Sequence, residues 1–267
     1  MMVAAGKTPV VESIARLLTA QGRHPAILSR GYGGARRGPV RVDPARHTAR
    51  DVGDEPLLLA RTAPVWIGAD RAATAREAAK SGVDCAIMDD GFQNPGIAKD
   101  LALLTIDGAY GLGNGRVMPA GPLREPAERG LTRADAIVLL GEDRTGFAAR
   151  LDKPVLRAIL EPVNGADFAA KAVSAFAGIG RPEKFFATLE ANGAHLIARH
   201  AFADHHYYSD AELRLLAEQA SGALLVTTEK DWIRLTPEVR TRSATLAVHV
   251  VWQDETRLLD LLASVFQ

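Results

Sequence analysis

The chain has 267 residues, of which 47% are hydrophobic and 24% are charged, a composition typical of a globular protein with a buried core. Its 32 Lys and Arg residues balance 32 Asp and Glu residues, so the net charge gives no indication of a nucleic-acid partner. A single cysteine, Cys85, excludes a disulfide framework and fits a reducing compartment. No apolar run is long enough to span a bilayer, so we expect any membrane contact to be made from the surface or through a segment that is missing here.

Short apolar runs alternate with helical patterns along the first half of the chain. Apolar residues recur at helical spacing over 9–22, and the same pattern is weaker over 56–61 and 71–81. The runs between them predict strands at 25–29, 65–67, 85–88, 101–106 and 136–140, with an edge strand at 39–42. Since the strands are apolar on both faces, we expect an α/β fold with a mainly parallel sheet and helices on both faces. Binding residues should then lie at the carboxyl ends of the strands.

The pattern changes near residue 150. Residues 154–160 are interpreted as an extended connector. A second alternating set predicts strands at 172–177, 196–202, 223–227 and 245–252 and helices at 182–192, 209–221 and 255–266. We therefore expect a phosphate-loop core over 1–165 and a smaller α/β domain over 166–267.

The first residues match the end of a phosphate-binding loop. In the pattern G-x-x-x-x-G-K-[S/T], backbone N–H groups and the Lys bind phosphates, and the hydroxyl holds Mg²⁺. Gly6, Lys7 and Thr8 fit its last three positions, but the first glycine would fall on Met1 and no residues remain for the preceding strand. Asp89 and Asp90 follow the strand at 85–88, where phosphate-loop enzymes hold Mg²⁺. An Asp-Asp-Gly turn is an equal alternative for them alone, but the upstream loop favours the nucleotide interpretation.

Other polar clusters have both structural and functional interpretations. Asp54 and the adjacent Glu55 lie at the start of a predicted helix, where acidic residues usually cap the N-terminus and complement the helix dipole. The functional interpretation is that one of these carboxylates is a general base for a hydroxyl nucleophile. The run Asp204-His205-His206 lacks the spacing or thiolates of a zinc site, so acid–base work is the better interpretation.

Arginines in Gly- and Pro-rich loops, such as Arg124, could bind phosphate or simply be solvated. Arg30 and Arg116 have the same two interpretations. The neighbouring Glu125 could complete a Mg²⁺ shell. The run 227–231 is interpreted as a capped helix start with Thr228 as N-cap, and the alternative is that this run makes polar contacts across the interdomain cleft.

Taken together, the chain resembles the tetraacyldisaccharide 4'-kinase (lipid A 4'-kinase) family nearly end to end. The Asp-Asp-Gly-Phe-Gln and Pro-Ala-Gly-Pro-Leu-Arg-Glu-Pro blocks are the most specific matches. The matching stretches, in family order, lie at 6–9, 29–34, 52–56, 89–93, 113–116, 119–126, 176–182, 204–205 and 227–231.

The resemblance implies a kinase that uses ATP and Mg²⁺ to phosphorylate the 4'-hydroxyl of a tetraacylated glucosamine disaccharide 1-phosphate, a lipid A precursor. It implies a peripheral enzyme on the cytoplasmic face of the bacterial inner membrane, without nucleic acid, and we expect a monomer. Carried over by motif, the ATP-binding residues would be Gly6, Lys7, Thr8 and Arg124. The metal-side residues would be Thr8, Asp89, Asp90 and Glu125. Asp54 would be the base, supported by His205.

Three departures from the family are visible. The hydrophobic N-terminal helix and the first strand have no counterpart, so we expect an N-terminally truncated chain with weak kinase activity. Val3, Ala4 and Ala5 replace a more glycine-rich run, and Asn94 stands where the family usually has His. Two alternatives therefore stay open, a degenerate nucleotide-binding homologue without catalysis and a phosphate-loop kinase of a soluble metabolite.

Overall fold

The computed structural model describes residues 6–267, and the predicted loop positions before Gly6 lie outside the described residues. Described helices are α1 (Lys7–Ala20), α2 (Ala49–Val52), α3 (Asp54–Leu59), α4 (Arg71–Ala79), α5 (Ala127–Arg133), α6 (Pro182–Ala191), α7 (Asp210–Gln219), α8 (Glu229–Trp232), α9 (Pro237–Arg240) and α10 (Glu255–Ala263). Described strands are β1 (Pro25–Ser29), β2 (Val40–Arg41), β3 (Val65–Ile67), β4 (Cys85–Met88), β5 (Leu103–Asp107), β6 (Ala136–Leu140), β7 (Val155–Pro162), β8 (Ala172–Ala177), β9 (His195–Ala201), β10 (Leu224–Thr228), β11 (Ser243–Leu246) and β12 (Val248–Trp252).

The described strands form three sheets of four strands each. Their orders are β2-β3-β1-β4, β12-β7-β6-β5 and β11-β10-β8-β9. Strands pair in parallel except at two edges, where β2 runs antiparallel to β3 and β12 runs antiparallel to β7. The predicted α/β fold with mainly parallel sheets is confirmed.

Helix α1 joins the first two sheets, because its apolar residues face in two directions. Val10, Ile14 and Leu18 pack against β6, β7 and β12, whereas Val11 and Ala15 pack against β1 and β3. Fully burying a Val, Ile or Leu side chain stabilises a fold by about 1.5–3 kcal/mol. The helix is therefore fixed by both cores, and its first turn is held at a constant position relative to both sheets.

A cavity of about 450 Å³ lies between β4 and β5, lined by α1 and both strands. Within residues 6–267, β4 pairs only with β1 and β5 only with β6, so the facing edges of the two strands are not hydrogen-bonded to each other. The walls are largely apolar, with Val10, Ile14, Cys85 and Leu103 among them. Lys7 and Asp90 line the same cavity, which therefore reaches the start of α1.

The third sheet has its own core on both faces. Phe168, Phe185, Phe186 and Leu189 cover one face, where α6 packs. The other face carries Tyr208 and the apolar side of α7. Ser209 begins α7 with a capping box, because it accepts from the Glu212 N–H while the Glu212 carboxylate accepts from the Ser209 N–H.

Some predicted elements differ from the structure. The predicted connector at 154–160 is a full strand, β7, paired with β6 and β12. The single strand predicted at 245–252 is two strands, because β11 joins the third sheet while β12 joins β7. Helices α2, α5 and α9 were not predicted; α2 is a four-residue helix that begins with a capping box formed by Thr48 and Asp51. Helix α1 begins at Lys7 and ends at Ala20, two residues earlier at each end than predicted.

The division at residue 165 stays a prediction. We propose in addition that residues 248–267 belong with the first part of the chain. Strand β12 extends its second sheet, and Leu258 and Leu262 of α10 lie in the same apolar core as α1. No helix in the described part of the chain is long and apolar enough to cross a bilayer.

Candidate active site

The start of α1 carries two cationic side chains that converge on one carboxylate. Lys7 donates to Asp90 Oδ1 at 2.5 Å, and Arg124 donates to both carboxylate oxygens at 3.0 and 2.8 Å. Gly6 has φ +97°, a left-handed conformation that glycine adopts at little cost and that turns the chain into the helix. Burial alone would raise the pKa of Asp90, but Lys7 and Arg124 outweigh it and hold that pKa below its usual range. Asp90 is therefore ionised at neutral pH.

Asp89 lies beside this cluster at the carboxyl end of β4, almost completely buried. Its carboxylate accepts a hydrogen bond from Ser29 Oγ at 3.1 Å. Burial, together with the nearby charge of Glu55, raises the pKa of Asp89 to about 6, although Lys7 acts in the opposite direction. A buried carboxylate with so little hydrogen bonding is suited to receive a cation.

Glu125 lies in a different set of contacts. It accepts hydrogen bonds from Gln93 at 2.7 Å and from Arg133 at 2.5 Å. Over residues 6–267, no group of three or more acidic, His or Cys side chains is arranged to hold a metal ion. Of the predicted Mg²⁺ carboxylates, Asp90 and Glu125 are paired with cations, whereas Asp89 is hydrogen-bonded to Ser29, so the role of all three as ligands stays a prediction.

Asp54 and His205 meet across the two halves of the chain. His205 Nδ1 lies 3.0 Å from Asp54 Oδ2, although 151 positions separate them in sequence. Asp54 is the first residue of α3, and His205 has a left-handed φ of +59° in the loop after β9. His206, the other candidate, instead bonds Glu212 at 3.0 Å and stacks on Phe202, so His205 is the histidine of this pair.

Two further cations surround the Asp54–His205 pair, and sequence reasoning did not assign them a role. Lys230 Nζ lies 3.3 Å from His205 Nε2 and 3.2 Å from Glu55 Oε1. Arg234, fully buried, places Nε 3.3 Å from Asp54 Oδ2. Both come from the α8 region, where Thr228 caps the helix as predicted. The sequence signal for Lys230 is its place in the charged run 227–231 after β10, which the family resemblance includes without giving Lys230 a role.

The electrostatics of this pair follow from those contacts. Burial alone would raise the pKa of Asp54, but the His205 hydrogen bond and the charges of Lys230 and Arg234 hold it below its usual range. The same hydrogen bond raises the pKa of His205, while burial and Lys230 oppose that rise. Asp54 is consequently an ionised, almost fully enclosed carboxylate.

An α/β core whose first helix begins with Gly-Lys-Thr, with aspartates at the end of a neighbouring strand, defines the class of phosphate-loop phosphotransferases. A family model described as tetraacyldisaccharide-1-P 4'-kinase matches residues 2–267. Tetraacyldisaccharide 4'-kinase of Rhodospirillum centenum is 56% identical over 97% of this chain and 79% of its own length. The protein of the same name from Gluconacetobacter diazotrophicus is 53% identical over 96% of this chain and 81% of its own length. The chain belongs to the tetraacyldisaccharide 4'-kinase family.

A solved structure agrees with this assignment. LpxK from Aquifex aeolicus, crystallised in complex with ATP, superposes with a TM-score of 0.81 at 29% identity. The match covers 100% of this chain and 86% of that one. The fold predicted from the sequence is therefore that of a solved member of the family.

Proposed function

We propose that the chain transfers the γ-phosphoryl group of ATP to the 4'-hydroxyl of a tetraacyldisaccharide 1-phosphate, a precursor of lipid A. The observation that carries the proposal is the Asp54–His205 pair, in which the Asp54 side chain is buried. Glu55, the next residue, is close enough to Asp89 for its charge to raise the pKa of Asp89, and Asp90 is paired with Lys7 and Arg124. Such a site has a hydroxyl-facing carboxylate on one side and phosphate-binding cations on the other. Family membership supports the same reaction.

The residues near the start of α1 fit a nucleotide triphosphate. The positive charges of Lys7 and Arg124 both lie next to Asp90. Thr8 lies in the first turn of α1, a 14-residue helix whose N-terminus favours anions. Gly6 is closely packed, since a Cβ there would lie 2.5 Å from Leu140 Cδ1. The buried Asp89 carboxylate, hydrogen-bonded by Ser29, fits a divalent cation, with Asp90 and Glu125 as further candidate ligands. When bound, Mg²⁺ supplies charge neutralisation at the phosphates.

Asp54 is proposed as the base for the sugar hydroxyl. Oδ2 accepts from His205 and lies near Arg234, and Oδ1 accepts the Glu55 N–H at 2.9 Å. A carboxylate oxygen has two acceptor positions, so Oδ1 keeps one position for a substrate hydroxyl. In kinases the aspartate mainly places the hydroxyl in line and then accepts its proton. A low pKa is compatible with that role.

We also propose a peripheral location at the cytoplasmic face of the bacterial inner membrane, and a monomeric state. A tetraacylated substrate has to be taken from a lipid surface. Tyr32, whose ring lies 5.4 Å from the His205 ring, is 68% exposed, and Met118 is 55% exposed. Vesicle flotation and light scattering test these two statements.

The experiment is a kinase assay with labelled ATP and tetraacyldisaccharide 1-phosphate in mixed micelles, comparing Asp54→Asn with the unaltered chain. We expect kcat to fall by about 100-fold or more, since a positioned base contributes roughly 10² to 10⁴ in rate. Asp210→Asn, an exposed acid in the first turn of α7, is the matched control and should be unaffected.

Three outcomes would contradict the proposal or the role it gives Asp54. ATP binding without transfer to the lipid would favour a degenerate homologue. Transfer to soluble sugars, with none to the lipid, would favour a metabolite kinase. Full activity of Asp54→Asn would remove Asp54 from the role of base.

A further inference from the structure

Lys230 touches three charged or titratable groups from both halves of the chain. Its Nζ lies 3.3 Å from His205 Nε2, 3.2 Å from Glu55 Oε1 and 3.7 Å from Asp204 Oδ1. Its side chain is only 20% exposed. Two carboxylates therefore hold the ammonium group against one ring nitrogen of His205.

That contact determines which nitrogen of His205 carries the proton. An ammonium group has three donors and no acceptor, so Nε2 can only accept from it. In a neutral imidazole the proton is then on Nδ1, which donates to Asp54 Oδ2 at 3.0 Å. A doubly protonated ring would instead place two positive donors 3.3 Å apart.

We propose that Lys230 is a positioning residue of the phosphotransfer site that holds His205 as the neutral Nδ1–H tautomer. This proposal rests on the proposed kinase function. With Nε2 occupied by Lys230, His205 cannot take the proton of the sugar hydroxyl. The base is then Asp54, and His205 keeps its carboxylate in place.

The proton and bond changes of the step are consistent with this arrangement. The sugar hydroxyl oxygen bonds to the γ-phosphorus of ATP, and the bond from that phosphorus to the bridging oxygen of ADP breaks. The hydroxyl proton passes to Asp54 Oδ1, the oxygen that holds only the Glu55 N–H at 2.9 Å. His205 and Lys230 keep their protons throughout.

The charges that face His205 come from three elements. Asp54 and Glu55 belong to α3, and Asp204 belongs to the histidine's own loop. Lys230 and Arg234 come from the α8 region; the edge-on Tyr32 ring completes the surroundings. The acids favour the imidazolium and Lys230 opposes it, which agrees with the directions of their effects on the pKa of His205.

Replacing Lys230 by Met keeps an unbranched side chain of similar size and removes the ammonium group with its charge. The pKa of His205 should rise, so that imidazolium persists to higher pH and the acid limb of kcat/KM moves upward by about half a unit to one unit. At neutral pH we expect kcat to fall by about tenfold or more, with little change in KM for ATP. Lys230→Arg, which also donates and never accepts, should restore the pH profile in large part.

The matched control is Lys80→Met, an exposed lysine of the segment after α4 whose side chain is 70% exposed. Its kcat and pH profile should equal those of the unaltered chain. An unchanged pH profile and kcat in Lys230→Met, while Asp54→Asn is inactive, would overturn the role of Lys230 alone. If Asp54→Asn is active, the proposed function itself fails.

A measurement on the unaltered protein keeps the test independent of whether the variants fold. Nitrogen-15 NMR of labelled histidine, with the His205 signal assigned by its loss in His205→Gln, reports the tautomer directly. We expect the Nδ1–H signature at pH 7.5 and above. An Nε2–H tautomer would overturn the proposal.

Discussion

Asp107 links the two halves of the chain, and breaking its ion pairs should destabilise the fold. It ends β5 with its side chain only 4% exposed, and it accepts from Arg181 at 2.7 Å and Lys184 at 2.6 Å. Arg181 is the residue before α6, and its guanidinium also lies 4.5 Å from the Tyr110 ring centroid. Asp107 Oδ1 accepts the Ala109 N–H as well. Asp107→Asn removes the charge and keeps that oxygen.

The magnitude follows from the unequal burial of the partners. A hydrogen bond to a charged group contributes about 1.5–3 kcal/mol. The Lys184 side chain is 55% exposed, so solvent screens its share to well below about 1 kcal/mol. Arg181 is 26% exposed and keeps most of its contribution. We therefore expect a coupling energy of about 2 kcal/mol between Asp107 and Arg181.

The assay is a double-mutant cycle with Asp107→Asn, Arg181→Met and the double variant, followed by urea unfolding. Loss of the contact with Tyr110 occurs in both arms that lack Arg181, so it cancels from the coupling energy. The control is the exposed pair Glu142–Arg144, 3.0 Å apart with side chains at least 70% exposed, for which about 0–0.5 kcal/mol is expected. A coupling below about 0.5 kcal/mol for Asp107 and Arg181 would refute the reasoning.

Two further predictions concern the neighbourhood of the candidate base and the metal-side carboxylate. Gly53 has φ +93°, and a Cβ would lie 2.5 Å from the Tyr32 carbonyl oxygen, so Gly53→Ala should cost about 2 kcal/mol or more and lower the melting temperature by several degrees. Without added divalent cation, Asp89→Asn should raise the free energy of unfolding at pH 8 by about 3 kcal/mol, since a difference of one pKa unit between the folded and unfolded states corresponds to about 1.4 kcal/mol. The folded pKa of about 6 lies above the unfolded value, so this gain appears between about pH 4 and 6 and vanishes below. Urea midpoints at pH 4 and 8 check it, and equal gains at both would contradict it.

The alternation of apolar runs and helices predicted most of the strands because a strand buried on both faces has to be continuously apolar. Strands β1 and β6 are buried along their whole length, as that pattern requires. The pattern says nothing about partners, so it did not show that β7 joins β6 or that β12 returns to β7. The β12–β7 pairing joins segments about 90 residues apart in sequence.

The candidate site shows the same limit. The motifs included Asp54 and His205, and the structure brings these two residues together. The family resemblance, rather than spacing, was the reason to connect them. Sequence patterns gave Lys230 and Arg234 no role, because Glu55 and Asp54, which they contact, lie more than 150 positions away in sequence. Charged residues near a short helix are usually solvated. Only the fold shows Lys230 beside Glu55 and His205, and the Arg234 side chain buried against Asp54.

Asp90 is the carboxylate that Lys7 and Arg124 contact in the protein without nucleotide. Lys7 and Arg124 together neutralise a single carboxylate, whereas the phosphates of ATP carry more charge and match the guanidinium fork as well as a carboxylate does. Phosphates at the start of α1 would therefore compete with Asp90 for both cations. Without those cations, the Asp90 carboxylate beside Asp89 would be available as a ligand for a divalent ion. If ATP and Mg²⁺ bind here as proposed, the ion pairs of Asp90 with Lys7 and Arg124 would be exchanged for contacts with phosphate and metal.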